Sequence, residues 1–536
     1  MKKLQTLCGI SALLLGAAYL LLSCAAKGSA APASGSNVMM ERARAADYDE
    51  IIGMDIEGED FNTDEFDHIV DNPFLRARDN PLSTFSIDVD TAGYSIVRYF
   101  IENGSLPPKS SVRIEELVNY FDYSYAPPDD GRPFAVHAET GQCPWNAGHL
   151  LARIAVKGKE FPITERPKVN LVFLLDVSGS MNEPNKLPLV KSAMSMLVNE
   201  LNGSDRVAVC VYAGAAGTVL EPTSCDDRDR ILDALDRLSA GGSTAGGAGI
   251  QLAYGLAEKN FDPAGVNRVI LCTDGDFNVG LRTRSDLIDL IEEKAKTGVY
   301  LTVLGFGTGN YKDGTLKQLA TKGNGNYGYI DTIEEAKKML IKQIAGTLIT
   351  IANDVKIQVE FNPATVGAYR LIGYENRIMR SEEFNDDTVD AGDIGAGHTV
   401  TAFYELIPPG SEAGALPQAD PLKYSVPADT TPRGEFSDEL LTIKVRYKLP
   451  KETESELLSF PVKADSVRRA GEESPDFTFA ASAAGFGMLL RDSPYKGGVS
   501  YDTILAMAGR SIGEDEFGYR EGFLRLVKEA AEIERR

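Results

Sequence analysis

Asp176-Val-Ser178-Gly-Ser180 is the stretch of this 536-residue chain whose residue types and spacing are best suited to chemistry. In an extended segment alternate side chains point to one side, so positions i, i+2 and i+4 converge. One carboxylate and two hydroxyls are hard oxygen donors, matched to Mg2+ or Mn2+ in octahedral coordination. Two further oxygens stand where they could join them: Thr244 in the loop Gly241-Gly-Ser-Thr-Ala-Gly-Gly, and Asp274 in Thr273-Asp-Gly-Asp-Phe. The triplet alone is a weak signal, since a polar turn after a strand also satisfies it. Ser178 and Ser180 do not read as nucleophiles, because no histidine lies near them. With four histidines in the chain, a His-rich zinc enzyme is disfavoured too.

The elements around these residues must bring them together. Val169 to Leu175 is an almost continuous apolar run, as expected of a strand covered on both faces. Leu187, Val190, Met194, Leu197 and Leu201 then recur at helical spacing. Further strands are predicted at 206–213, 268–273, 299–306 and 327–330, with an antiparallel edge strand at 217–223. Helices are predicted between them at 226–238, from the Gly-rich loop at 241 to 258, at 285–297 and at 315–322. This alternation predicts an α/β fold, a doubly wound, mostly parallel, Rossmann-like sheet. Ligands of such sheets bind outside the carboxyl ends of the strands, where Asp176 and Asp274 fall.

Taken in order, Asp176, Ser178, Ser180, Thr244 and Asp274 resemble the metal-ion-dependent adhesion site of von Willebrand factor type A domains. That family's pattern is Asp-x-Ser-x-Ser, a Thr in a Gly-rich loop, and an Asp after a later strand. The resemblance covers about residues 165–345. It implies that these five residues coordinate Mg2+ or Mn2+, directly or through water, with an open position filled by the carboxylate of a protein partner. Glu183 falls where some adhesion receptors carry an acidic residue of a second metal site, but Pro184 and Asn185 depart from that pattern, so a solvated loop is the better reading. Asp276 reads as an exposed turn residue. Asn72-Pro-Phe-Leu, Thr84-Phe-Ser-Ile-Asp-Val-Asp-Thr and Arg113-Ile-Glu-Glu-Leu-Val-Asn-Tyr-Phe resemble the N-terminal region of a bacterial family of von Willebrand domain lipoproteins, the YfbK-like family.

The remaining segments set the context. Lys2 and Lys3 precede an apolar stretch from Leu13 to Leu22, a secretory signal too short to span a membrane. Leu21-Leu22-Ser23-Cys24-Ala25 resembles the lipobox of bacterial lipoproteins, in which Cys24 is acylated. Ala25 after Cys24, rather than Asp, resembles outer-membrane sorting, so the expected location is the cell envelope, at the outer membrane. Residues 1–23 are the expected signal peptide and 24–71 a flexible tether. Residues 72–164 hold strand-like runs, and those at 134–156 are candidates to complete a β-sandwich that begins at 355. There Val355, Ile357, Val359 and Phe361 alternate with polar residues, as do 399–407 and 441–449. Residues 346–536 are thus read as a β-sandwich followed by helices, and 165–345 as an inserted α/β domain. Of the cysteines beyond the signal, Cys210 and Cys272 read as buried hydrophobes, and Cys143 and Cys225 could pair in an oxidising compartment.

A formal charge of −23 disfavours nucleic acid as a partner. Gly323-Asn-Gly325-Asn-Tyr-Gly328 precedes a strand rather than opening a helix, so it reads as a turn and not a dinucleotide fingerprint. Asp88-Val-Asp90-Thr91 resembles the paired aspartates of haloacid dehalogenase-type enzymes. The alternation such enzymes need does not follow, and an exposed strand end is the better reading. The sequence therefore points to a non-enzymatic envelope protein that binds an acidic protein ligand through a cation. An accessory subunit of an envelope enzyme and a purely structural metal site remain as alternatives.

Overall fold

The computed structural model describes residues 66–536 except 67, 89, 162–165, 214, 242–245, 276–283, 308–311, 344–345, 347, 412–415, 417–435 and 451. Cys24, Thr244 and Asp276 lie outside the described residues. The N-terminal part gives β1 (Leu75–Arg76), β2 (Leu82–Ser86), α1 (Ala92–Glu102), α2 (Ile114–Asn119), β3 (Phe134–Gln142) and β4 (Leu150–Gly158). The α/β part follows: β5 (Val169–Asp176), α3 (Leu187–Glu200), β6 (Arg206–Tyr212), β7 (Ala216–Ser224), α4 (Arg228–Asp236), α5 (Gly246–Lys259) and β8 (Val266–Thr273). It continues through α6 (Arg284–Ala295), β9 (Tyr300–Phe306), α7 (Asp313–Lys322), β10 (Tyr327–Ile330) and α8 (Ile333–Lys337).

The α/β sheet runs β10-β9-β8-β5-β6-β7, parallel throughout except for β7, which pairs antiparallel at the edge. Every residue of β5 is buried. Its odd-numbered side chains Leu171, Phe173 and Leu175 pack with Val190, Met194, Ile231 and Leu235 from α3 and α4. The even-numbered Val172 and Leu174 pack with Ile250, Leu287 and Leu316 from α5, α6 and α7. Each such side chain contributes about 1.5–3 kcal/mol on leaving water, which is why this strand order holds two helical layers.

Beyond it lie β11 (Thr350–Phe361), β12 (Ala368–Ile372), β13 (Ile378–Met379), β14 (Gly392–Gly395), β15 (Thr399–Ile407), β16 (Glu439–Lys448) and β17 (Glu456–Lys463). One antiparallel sheet is ordered β1-β12-β15-β4-β3 and the other β13-β2-β11-β16-β17, with β14 also paired to β11. Strands from before and after the α/β part therefore build both sheets. Their inner faces meet through Phe361 stacked on Tyr369 at 3.9 Å and Phe134 edge-on to Tyr447 at 4.8 Å. On the other side of the first sheet, Leu151, Ala155 and Phe403 pack under α9 (Pro475–Arg491), α10 (Tyr501–Gly509) and α11 (Tyr519–Arg535). Ser474 starts α9 by accepting the Phe477 N–H at 3.1 Å, with a proline in the first turn.

Cys143 and Cys225, whose pairing the sequence leaves open, are not bonded; each is a buried free thiol in a separate core cluster, and Cys210 and Cys272 are buried free thiols as expected. One expectation is corrected. Asp88 and Asp90 are not an exposed strand end: they are 3% and 6% exposed, held inside an ion network described below. Among the described residues no helix is long and apolar enough to cross a membrane.

Candidate metal-ion centre at the strand ends

β5 delivers Asp176 to the carboxyl edge of the sheet, fully buried, and the chain then turns sharply. The Ser178 N–H donates to Asp176 Oδ1 at 2.8 Å, and the Met181 N–H to the Ser178 carbonyl at 3.1 Å, closing a 3₁₀ turn over Gly179–Asn182. That turn sets Ser178 Oγ 3.0 Å from Ser180 Oγ. Three of the expected ligands are thus gathered within five residues. The fourth comes from β8, two of whose neighbours in the sheet are β5 and β9. Thr273 Oγ1 donates to Asp176 Oδ2 at 3.4 Å and accepts the Gly275 N–H at 3.2 Å, which places Asp274, 1% exposed, beside the triplet. Thr244 lies outside the described residues. Gly241, the last described residue before it, donates its N–H to the Val177 carbonyl at 2.7 Å.

Burial pushes the Asp176 carboxyl up to about 6; the Ser178 backbone and hydroxyl hydrogen bonds pull it down, and the nearby Asp274 charge pushes it up again. A buried carboxylate beside a second carboxylate and two hydroxyls is a donor set that a hard divalent cation would compensate. The residues fit such an ion.

Lys186 also belongs to this site, although nothing in its sequence context marked it. Its Nζ lies 3.2 Å from Asp274 Oδ2 and 3.7 Å from Glu183 Oε1, and the residue is 3% exposed. Its stem runs past Gly307, at the end of β9, where a Cβ would collide with it. Glu183 itself is solvated, as expected, with its side chain 63% exposed.

A second acidic group lies elsewhere. Carboxylate oxygens of Asp88, Asp90 and Glu116 come within 4.8 Å of one another, all buried. A cation already sits among them: Lys317 Nζ is 2.8 Å from Asp88, 2.5 Å from Glu116 and 3.5 Å from Asp90. Arg377 adds a contact to Asp88 at 2.9 Å and Arg113 one to Glu116 at 2.5 Å. Burial works to raise the Asp88 carboxyl, but Arg377 and Lys317 outweigh it and hold the group well below the usual range. Asp90 is pushed up to about 7 by burial and by the Asp88 charge. This is an ion-pair network that ties β2, α2 and α7 together. The glycine-rich segment turns at 323–326 and enters β10 at Tyr327, with Gly325 packed against the Leu301 backbone where no side chain fits.

The α/β part and the segments on either side of it each match known proteins. Residues 170–344 match the family model described as von Willebrand factor type A domain, residues 60–153 one described as von Willebrand factor, and residues 346–533 one described as uncharacterized protein YfbK, C-terminal. The protein is a von Willebrand factor type A domain protein of mixed α/β fold. It is 42% identical over 473 residues to the Escherichia coli (strain K12) protein described as uncharacterized protein YfbK, covering 87% of this chain and 81% of that one. The chain belongs to the YfbK family. A Synechocystis protein, sll0103, is 32% identical over 184 residues, 34% of this chain and 43% of its own length. A solved von Willebrand factor type A protein from Catenulispora acidiphila aligns at 18% identity with a TM-score of 0.40, over 75% of this chain and 90% of that one.

Proposed function

We propose that this chain is a lipid-anchored, non-enzymatic binding protein of the cell envelope, which captures an acidic protein ligand through a divalent cation held at the ends of β5 and β8. One observation carries the reading: Asp176, Ser178 and Asp274, buried at the ends of two neighbouring parallel strands, and the half-buried Ser180 beside Ser178 present hard oxygens together. Asp176, Ser178, Ser180 and Asp274 would hold Mg2+ or Mn2+, with Thr244 supplied by the loop that follows Gly241. Such an ion, when bound, is a Lewis acid that keeps exchangeable positions and takes a carboxylate readily. The turn over Gly179–Asn182 orients the two hydroxyls, and the buried strand ends exclude water from one side of the donors. Acylation at Cys24 and the tether after it would hold the folded part away from the outer membrane; the tether expected to run to 71 ends earlier, since Phe66 packs on the core and Asp71 pairs with Arg491 at 2.9 Å.

Affinity capture from envelope extract tests the reading, with Mg2+ or with EDTA, using wild type and Asp176→Ala. Partners recovered by wild type in Mg2+ are expected to vanish in both EDTA and the variant, while circular dichroism shows the variant folded. Undiminished capture in either condition would sink the metal-bridged reading. Incorporation of labelled palmitate, lost in Cys24→Ser, is the separate check on the anchor.

A further inference from the structure

Lys186 places a protein cation on one of the carboxylates read as a ligand of the divalent ion. Its ammonium lies 3.2 Å from Asp274 Oδ2, inside the protein, and its stem packs against Gly307, where a Cβ would collide with it. A second carboxylate waits within the reach of the same ammonium. Glu183 Oε1 is 3.7 Å from Nζ, and its side chain is solvated. The two acids differ in one respect that matters. Asp274 faces the metal donors, whereas Glu183 faces water.

We propose that Lys186 is a tethered cation that competes with the divalent ion for Asp274 and passes to Glu183 when the ion binds. This rests on the reading of Asp176, Ser178, Ser180 and Asp274 as a divalent-cation site. The charges set the direction of the effect. Asp176 and Asp274 supply two negative charges, and Lys186 cancels one of them before any metal arrives. A divalent ion entering the site meets an ammonium on one of its own ligands, and like charges a few ångströms apart repel strongly where water is excluded. Breaking the Lys186–Asp274 pair would leave a buried ammonium uncompensated unless another acid received it. Glu183 is that acid, three residues earlier on the same turn. The site is thereby tuned to low cation affinity and loads only when ion concentration, or an acidic ligand on the ion, outbids the lysine.

Isothermal titration of the full chain with MgCl2 and with MnCl2 tests this, comparing wild type with Lys186→Met, Glu183→Gln and the double variant. Lys186→Met is expected to bind either ion at least tenfold more tightly, since its competitor is gone. Glu183→Gln is expected to bind several-fold more weakly, and the double variant to resemble Lys186→Met, because Glu183 acts only through the lysine. Metal-free melting curves report whether each variant folds, and Glu183→Gln, at an exposed position, keeps the test open if Lys186→Met does not fold. Wild type that binds while Lys186→Met binds no more tightly, or Glu183→Gln that leaves affinity unchanged, overturns the role of Lys186 alone. If no protein titrates with either ion, the metal reading falls and this inference falls with it.

Discussion

Asp176 holds its carboxyl where water does not reach, and burial raises it to about 6. The metal-free fold therefore favours the protonated acid. The sign follows: the stability linked to this group is fully present at low pH and is lost as pH rises through about 6. In EDTA at neutral pH, Asp176→Asn is expected to be more stable than wild type by up to about 3 kcal/mol, each tenfold in proton affinity being worth about 1.4 kcal/mol. The advantage should disappear below about pH 4, where wild type is protonated in both states. Mg2+ should close the gap at neutral pH at a hundred times its dissociation constant, where it adds about 2.7 kcal/mol to the protein that binds it, and reverse the order at a thousand times, where it adds about 4.1 kcal/mol. Urea denaturation across pH, with and without Mg2+, reads both effects, and a pH-independent difference between the two proteins would refute them. The triplet behind this expectation is visible in the sequence because its donors are adjacent in the chain. Lys186 was not, since Asp274 lies 88 residues away and only the β5–β8 pairing brings the two together.

Elements were legible where their pattern is internal and hidden where a distant partner completes them. β5 and β11 announce themselves by a continuous apolar run and by strict alternation. α1 carries Tyr94, Val97 and Ile101 on one buried face, yet it lacks the usual start signals: Thr91 makes no side-chain cap and the first turn has no acid. β12 is buried throughout but is broken by Arg370, whose charge is met by Glu405 of β15 at 2.9 Å. The Asp88 network was misread for the same reason, since Arg377 lies 289 residues from Asp88. That network joins β2 and α2 to α7 through Lys317, so its worth can be measured. Lys317→Met leaves buried Asp88 and Glu116 short of one ammonium, and the expected loss is about 3–5 kcal/mol in denaturant titration. Mg2+ and Ca2+ should not restore it, because Arg377 and Arg113 keep the cluster cationic in part. Restoration by either ion would show a latent metal site in place of an ion-pair clasp.

At the scale of the molecule, both sheets of the sandwich are closed by strands from opposite ends of the chain. β11 pairs with β2 on one side and β16 on the other, and β15 pairs with β4 and β12. The chain leaves the sandwich at Gly158 and returns at β11, where a Cβ on Gly158 would stand 2.9 Å from Ile351 Cδ1. Exit and re-entry are therefore neighbours, the geometry that lets a whole domain sit within another without straining either. Excising 165–345 and joining the ends with a short Gly/Ser linker is expected to leave a protein that unfolds cooperatively. It should be less stable than the parent, because the clasp through Lys317 and the packing of Ala92 and Ile96 against the α/β helices are lost with the insert. Residues 346–536 alone should not fold, for a different reason. Without β2, β3 and β4, β11 and β15 each lose a neighbour, Tyr447 loses Phe134, and α9 loses Leu151 and Ala155 beneath it. Near-ultraviolet circular dichroism and a denaturation midpoint on both fragments decide the matter. A cooperatively folded 346–536 fragment would mean that the N-terminal strands cover a finished domain; a molten remainder after excision would mean that the α/β domain is part of the sandwich's own core.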